Sequence, residues 1–349
     1  MGCLFSSESP ATNRAAQYAV KERKPYSWEV GERPDPKDFM FMNKNKETLL
    51  RLPGTVNGQQ FVIENCVECD IFILDHTATV TIDDCVDCRI FLGPVESSVF
   101  IRDSKNCKCA FICRQFRTRT VANSDFALLC ATRPVIEDSK ALRFASFDMG
   151  YAALEGQLAA AVISPFTNFW GFIHDFTPAD ATAKPNHSIY PSAAAGTKEV
   201  LDLGGSKPLP PEVDALFKEA HKSVALNTQG ERPLEEAASG AILIFPPSVE
   251  SRAMEVVQGA IDSADCKLAN SNRLAIDTQL ASELIGALGT SVAGAKLTSK
   301  SFGGGKAVVV HFTGVNAFER LRPAAEAAGA TISSNVAAFA LIKHAGIDG

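Results

Sequence analysis

The stretch CRQFRTR, residues 113–119, carries three arginines inside a cysteine-rich region whose other residues are of the buried kind. Side chains alternate between faces along a strand, so Gln115, Arg117 and Arg119 point to one side and Phe116 to the other. Phe116 then belongs to a core, and the arginines to a surface. Such a row has two uses. It blocks edge pairing, as charges on strands often do. Or it presents to an anionic partner a planar, permanently charged fork that spans phosphate or carboxylate oxygens.

The cysteines set the scaffold. Cys66, Cys69, Cys85 and Cys88 fit a C-x2-C-x15-C-x2-C spacing, which read alone is a tetrathiolate zinc pattern. Internal periodicity accounts for more of the sequence. In lines of about nineteen residues, NCVECDIFI (65–73) falls above DCVDCRIFL (84–92), then DSKNCKCAF (103–111) and ANSDFALLC (122–130). Cys66, Cys85, Ser104 and Asn123 then share one column, and Cys69, Cys88, Cys107 and Phe126 another. Ile63, Ile82, Ile101 and Thr120 form a third, and Ile71, Ile90, Cys109 and Leu128 a fourth. Zinc explains the four thiols but not the continuation of the pattern after they are replaced.

A coil of three short strands explains both, with like side chains stacked inward and cysteine acting as a small buried hydrophobe. The fold expected is therefore mainly β, a right-handed parallel β-helix of about nineteen residues per coil. Its first turn is read at 51–65 and its last at 134–147, with the aromatic segment 164–178 folding back over a side or end. On a strict nineteen-residue register Arg117 stands over Ser98 and Thr79, both small. Glu137 follows at a spacing of 20 and is placed to hold the Arg117 guanidinium.

The whole chain agrees with a cytosol-facing globular protein. Its 349 residues suffice for two cores, and 46% hydrophobic with 21% charged residues is an ordinary composition. A net charge of −6 opposes a nucleic-acid partner, which requires a basic face. The start MGCLFSSES is no secretory signal but fits M-G-x-x-x-S, which predicts a myristate on Gly2 and a palmitate on Cys3. One acyl chain binds membranes only marginally, and two make a stable anchor. Asp83 and Asp84 are read as a coil corner rather than catalytic carboxylates. His76, His174, His187 and His221 form no ligand set, and no metal site is expected.

The runs RLPGTVNGQQF, DHTATVTIDDC, IFLGPV, CKCAFICRQFR and IHDFTP, with the MGC start, resemble the retinitis pigmentosa 2 protein family over residues 26–178. The same β-helix is similar to the C-terminal (C-CAP) domain of tubulin-folding cofactor C, with its Gln-x-Arg element. The resemblance implies a GTPase-activating protein for the ADP-ribosylation-factor-like small GTPase of type 3, acting in the trafficking of lipidated cargo at the cilium. It implies Arg117 as an arginine finger given in trans, Gln115 as its supporting glutamine and Glu137 as its orienting carboxylate. It also implies Phe176, with Asp175 and Arg119 beside it, at the partner interface. Arg114 departs from the family, which has a second glutamine there. The protein would need no cofactor of its own, because GTP and Mg²⁺ belong to the partner. The alternatives are a tubulin-directed activator with tubulin as partner, or a non-catalytic β-helix scaffold. The localisation implied is the cytoplasmic face of the plasma membrane at the ciliary or flagellar base.

Beyond the β-helix, residues 1–25 are read as a flexible acylated segment, 179–238 as a linker with one helix at 211–222, and 239–349 as a second domain. There AILIF (241–245) and KAVVVHF (306–312) are strands, and a short strand lies near 267–270. Helices are expected after Ser248, at 277–288 and at 317–328, the last interrupted by Pro323. The tail from Val336 is left as helix or strand. This order fits a ferredoxin-like fold, and the resemblance implies a nucleoside diphosphate kinase-like domain. The N-x-x-H-G-S-D setting of such kinases is missing, so no kinase activity is expected. FGGGK (302–306) is read as a loop, because Lys306 is followed by strand residues and not by Ser/Thr and a helix.

Overall fold

The computed structural model describes residues 35–177, 184–192, 195–205, 207–219, 223–230, 239–262, 266–290, 292–343 and 345. The acylation signal at Gly2 and Cys3 lies outside them, as do His221 and His344. Phe39–Gly349 form one compact unit.

The repeat builds a parallel β-solenoid of about six turns. Its strands are β1 (Met40–Met42), β2 (Thr48–Arg51), β3 (Phe61–Glu64), β4 (Asp70–Ile73), β5 (Val80–Asp83), β6 (Arg89–Arg102), β7 (Lys108–Arg119), β8 (Asp125–Cys130), β9 (Val135–Glu137), β10 (Leu142–Ser146), β11 (His174–Asp175) and β12 (His187–Ile189). One stack runs β1, β3, β5, β6, β7, β9 and β11; the other runs β2, β4, β6, β7, β8, β10 and β12. Every pairing within them is parallel. The long strands β6 and β7 bend through both stacks, β6 with register shifts near Pro94 and Val95.

The coil length is not constant, and this corrects the expected columns. Equivalent residues are 19 apart from Asp70 to Arg89 and from Asp83 to Arg102, 17 apart from Cys107 to Ser124, and 18 apart from Asp125 to Arg143. Ile101 therefore pairs with Thr118 rather than Thr120, and Cys109 with Phe126 rather than aligning with Leu128. The Cys69–Cys88–Cys107 column passes to Ser124 instead of Phe126. The Cys66–Cys85–Ser104 column passes to Val121 and Ser139 instead of Asn123.

Serine replaces cysteine at these corners because both do the same work. The Sγ of Cys66, Cys69, Cys85, Cys88 and Cys107 each donates to the carbonyl two residues back, at 3.4, 3.5 or 3.3 Å. The Oγ of Ser104, Ser124 and Ser139 makes the same bond at 2.7–2.9 Å and also accepts an amide from the neighbouring coil. The thiols thus stand in stacked columns. Among the described residues no group of three or more His, Cys, Asp or Glu side chains gathers as metal ligands. Burial pushes the Cys109 and Cys113 thiols up, so they stay protonated and behave as hydrophobes.

Both coil corners on either side of the first stack's ends need the left-handed conformation, and Asn and Asp supply most of it. Asn65, Asp84, Asp103, Asn106, Asn123 and Asp138 all have φ near +50°. The solenoid begins a coil earlier than expected, at Met40, and ends with the partial coil β11–β12. Residues 164–177 close that end. Trp170 is fully buried in the solenoid core and donates through Nε1 to Thr228 Oγ1 at 2.9 Å.

The outward side of the second stack is covered. Phe72, Phe91, Ala127 and Phe147 pack beneath Leu154 and Leu158 of α1 (Leu154–Ala160), Val200 of α2 (Thr197–Val200) and Val213 of α3 (Pro211–Glu219). The elements α2, α3 and β12 come from the stretch read as a linker. The outward side of the first stack, where β7 carries Arg117 and Arg119, stays open.

The second sheet holds β13 (Gly240–Phe245), β14 (Lys267–Leu274), β15 (Val292–Gly294), β16 (Ala307–Thr313) and β17 (Thr331–Ser333), ordered β14-β16-β13-β17-β15 and antiparallel throughout. With α4 (Ala253–Asp262) after β13 and α6 (Ala317–Ala328) after β16, the order is the ferredoxin-like one. The segment from α5 (Thr278–Ala287) to β15 is an addition to that order. Two details differ from expectation. A 3₁₀ turn at Glu250–Arg252 precedes α4, and α6 runs unbroken through Pro323, which lies on its solvent side. The tail is helical, a 3₁₀ turn at Val336–Phe339 followed by α7 (Ala340–Lys343).

Candidate functional site

On the open face the strands place side chains in two outward columns. Thr81, Phe100, Arg117 and Val135 form one, and Asp83, Arg102, Arg119 and Glu137 the other. Phe116 points inward, fully buried, with its ring 5.2 Å from Phe111 and 5.0 Å from Phe126. Alternation then sends Arg117 and Arg119 out, and both are exposed. The 17-residue coil means that Arg117 stands on Phe100, not on Ser98, which instead pairs with Gln115.

Elsewhere on the solenoid an arginine is clamped by an aspartate one coil earlier. Asp70 holds Arg89 at 3.0 and 3.1 Å, Asp83 holds Arg102 at 2.8 and 2.7 Å, and Asp125 holds Arg143 at 2.6 Å through both oxygens. The Asp83 hydrogen bonds and charge hold the Arg102 guanidinium still more firmly protonated than an arginine alone. At Arg117 the clamping position is Phe100, and at Arg119 it is Arg102, which offers no carboxylate. Among the described residues neither Arg117 nor Arg119 has a carboxylate within ion-pair distance.

Glu137 pairs with Arg119 across the ladder, one step along from the Val135 that faces Arg117. No hydrogen bond or ion pair joins Glu137 to Arg117, so the expected hold on the guanidinium is not made in this structure. Both residues nevertheless line one open cavity of about 470 Å³, with Phe100, Arg102, Arg119 and Phe176. Phe176 is 61% exposed, anchored by its amide on the Ile136 carbonyl at 2.8 Å and edge-on to His174. Burial would raise the Asp175 carboxyl, but hydrogen bonds from Asn186 and Thr177 outweigh it and hold the group below the ordinary carboxylate range. Asp175 thereby fixes the strand end that presents Phe176.

Gln115 is the one candidate placed apart. Its Oε1 accepts from Ser98 Oγ at 3.3 Å, and it faces a second cavity beside Arg114. Phe100 and Arg102 were not singled out from sequence. The signal for both is the coil shortening, visible only once Ser124 is recognised as taking the place of a cysteine. Chemically, the first cavity offers two uncompensated guanidinium groups, one carboxylate and an exposed aromatic ring. That set suits a partner surface carrying phosphate oxygens.

The Tubulin binding cofactor C family model matches residues 58–176, which contain every candidate residue except the acylation sites. Protein XRP2 of Homo sapiens is 45% identical over 246 residues, 70% of this chain and 69% of that protein. Protein XRP2 of Danio rerio is 48% identical over 228 residues, 64% of this chain and 58% of that protein. Tubulin-folding cofactor C of Arabidopsis thaliana is 36% identical over 77 residues, 22% of each chain.

Proposed function

The chain belongs to the XRP2 family, and on that premise we propose that it is a GTPase-activating protein whose Arg117 completes the active site of a small GTPase in trans. The observation that carries this reading is the unclamped state of Arg117 on the open face, whereas three other solenoid arginines, Arg102 on that face and Arg89 and Arg143 on the other stack, are each held by an aspartate. An arginine already neutralised cannot stabilise charge elsewhere. An uncompensated one, on a rigid ladder, gains its counter-charge when it docks.

The chemistry follows from what such a GTPase lacks. The nucleotide, Mg²⁺ and attacking water are held by the GTPase, and the deficit is stabilisation of charge on the transferring phosphoryl group. A trans arginine there contributes about 10³–10⁵ in rate, roughly 4–7 kcal/mol. Phe176 and Arg119 would supply contact and steering, Glu137 would orient the docked guanidinium, and Gln115 would support it from the neighbouring stretch of β7. The partner favoured is an Arl-type GTPase of the ADP-ribosylation-factor-like type 3 class in its GTP form, at a ciliary or flagellar base. Tubulin is the second reading, favoured by the cofactor C family match.

A single-turnover GTP hydrolysis assay with each partner tests both readings. Arg117→Ala should lower the stimulated rate by about 10³-fold or more while leaving complex formation largely intact, and Arg117→Lys should be nearly as poor because it lacks the fork. Stimulation by Arg117→Ala equal to that of the unaltered chain would remove Arg117 from the role. Membrane attachment is proposed to rest on acylation of Gly2 and Cys3. A Gly2→Ala chain should then fail to float with vesicles after expression in acylating cells; continued flotation would place the anchor elsewhere.

A further inference from the structure

The second cavity, about 730 Å³, lies where the solenoid meets the second sheet, within the range of small-molecule sites. One wall is Arg114 and Gln115 of β7; the other is Asn272 and Arg273 of β14 with Lys306 at the foot of β16. The charges on these walls do not cancel. Arg273 is neutralised by Glu250 at 2.5 and 3.1 Å, but among the described residues Arg114 and Lys306 have no carboxylate partner, leaving the cavity positive in a chain of net charge −6.

The unused hydrogen-bonding groups of the solenoid wall are donors. Among the described residues Arg114 spends only Nε, on the Glu96 carbonyl at 3.0 Å, so its two terminal nitrogens are open to the cavity. The Gln115 oxygen is taken by Ser98, which leaves its amide nitrogen for the cavity. Lys306 adds an ammonium from the opposite side. The rim is apolar: Val162, 74% exposed, closes α1 in the left-handed position after the helix, where the Ile163 amide bonds back to the Leu158 carbonyl at 3.0 Å.

Donors on two facing walls, a positive balance and an apolar rim match an acceptor-rich anion with a less polar body. We propose that this cavity binds a phosphate-bearing small molecule, with Arg114 and Lys306 on its phosphate oxygens and Val162 against its remaining part. Arg114 is then a residue with a task of its own. Apart from Gln115, which both readings use, the site does not rest on the GTPase reading.

The phosphate could be that of a soluble compound or of a lipid headgroup, and two probes separate these. Tripolyphosphate is titrated calorimetrically into the full chain at low and moderate salt. Phosphatidylcholine vesicles with and without phosphatidylinositol bisphosphate are tested by co-sedimentation. Binding of either probe is expected, weakened by salt and weakened about tenfold by each of Arg114→Gln and Lys306→Gln, since one charge-assisted contact is lost in each. Both side chains are exposed, so the fold should persist, as circular dichroism would verify. Arg117→Ala should keep the binding that depends on Arg114 and Lys306, whatever it removes at the first cavity. The proposal is overturned if neither probe binds, if the double variant Arg114→Gln/Lys306→Gln binds equally well, or if Arg117→Ala abolishes binding.

Discussion

What distinguishes Arg117 from Arg89, Arg102 and Arg143 is one side chain on the preceding coil. Position 100 relates to 117 as position 83 relates to 102 and 70 to 89, directly opposite in a parallel ladder. Where that position is aspartate, the arginine is clamped; where it is phenylalanine, the arginine is left for another molecule. Installing the clamp is therefore a sharper test than deleting the finger. Phe100→Asp should form a bidentate pair with Arg117 and lower GTPase stimulation by at least about tenfold, the equivalent of 1.4 kcal/mol of lost transition-state contact. Phe100 is only half-buried, so the fold should tolerate the change. Undiminished stimulation by Phe100→Asp, with the pair visible in a crystal structure, would mean that Arg117 acts by some route other than its charge.

At the scale of the strand and coil, sequence made the coils after the first legible as far as residue 111, because Cys66, Cys85, Ile63 and Ile82 recur at a fixed interval. The later coils were not, since their landmarks change from cysteine to serine as the coil shortens to 17 and then 18 residues. The site suffered most from this. Reading Ser98 beneath Arg117 hid Phe100, while the outward direction of Arg117 survived because alternation does not depend on register. The corner hydrogen bonds make a prediction about those cysteines. Cys85 donates to the Asp83 carbonyl as Ser104 does to Arg102, so Cys85→Ser should change stability by under about 1 kcal/mol. Cys109 is fully buried between Ile90 and Phe126, with no such acceptor, and Cys109→Ser should cost about 1–3 kcal/mol by stranding a hydroxyl. Guanidinium unfolding distinguishes them. A larger loss for Cys85→Ser, with added zinc stabilising the unaltered chain but not the variant, would bring back the metal reading.

Over the whole molecule the two sheets are tied rather than strung together. Phe166 and Leu226, both from the solenoid side, lie in the core of the second sheet; Lys343 of α7 sits 4.4 Å over the Phe172 ring. Composition alone concealed this, because the proline- and alanine-rich stretch from 179 has weak periodicity yet supplies β12 and two covering helices. Such coupling predicts that a titration in one sheet is felt in the other. His311 of β16 is buried, its Nε2 lacks a hydrogen-bond partner, and burial together with the nearby Lys343 charge pushes its pKa down to about 4. The unfolded chain binds this proton below about pH 6.5 and the folded chain only near pH 4, so stability is full above 6.5 and falls as the pH drops through that window. The loss from His311 alone is about 3 kcal/mol at 1.36 kcal/mol per unit. In a Trp28→Phe background, fluorescence of the solenoid's Trp170 should report the same acid loss as far-UV circular dichroism, and His311→Leu should flatten both between pH 7 and pH 4. If the Trp170 transition keeps its full pH dependence in His311→Leu, or if the two signals part, the sheets unfold as separate bodies and His311 does not govern the acid response of the whole.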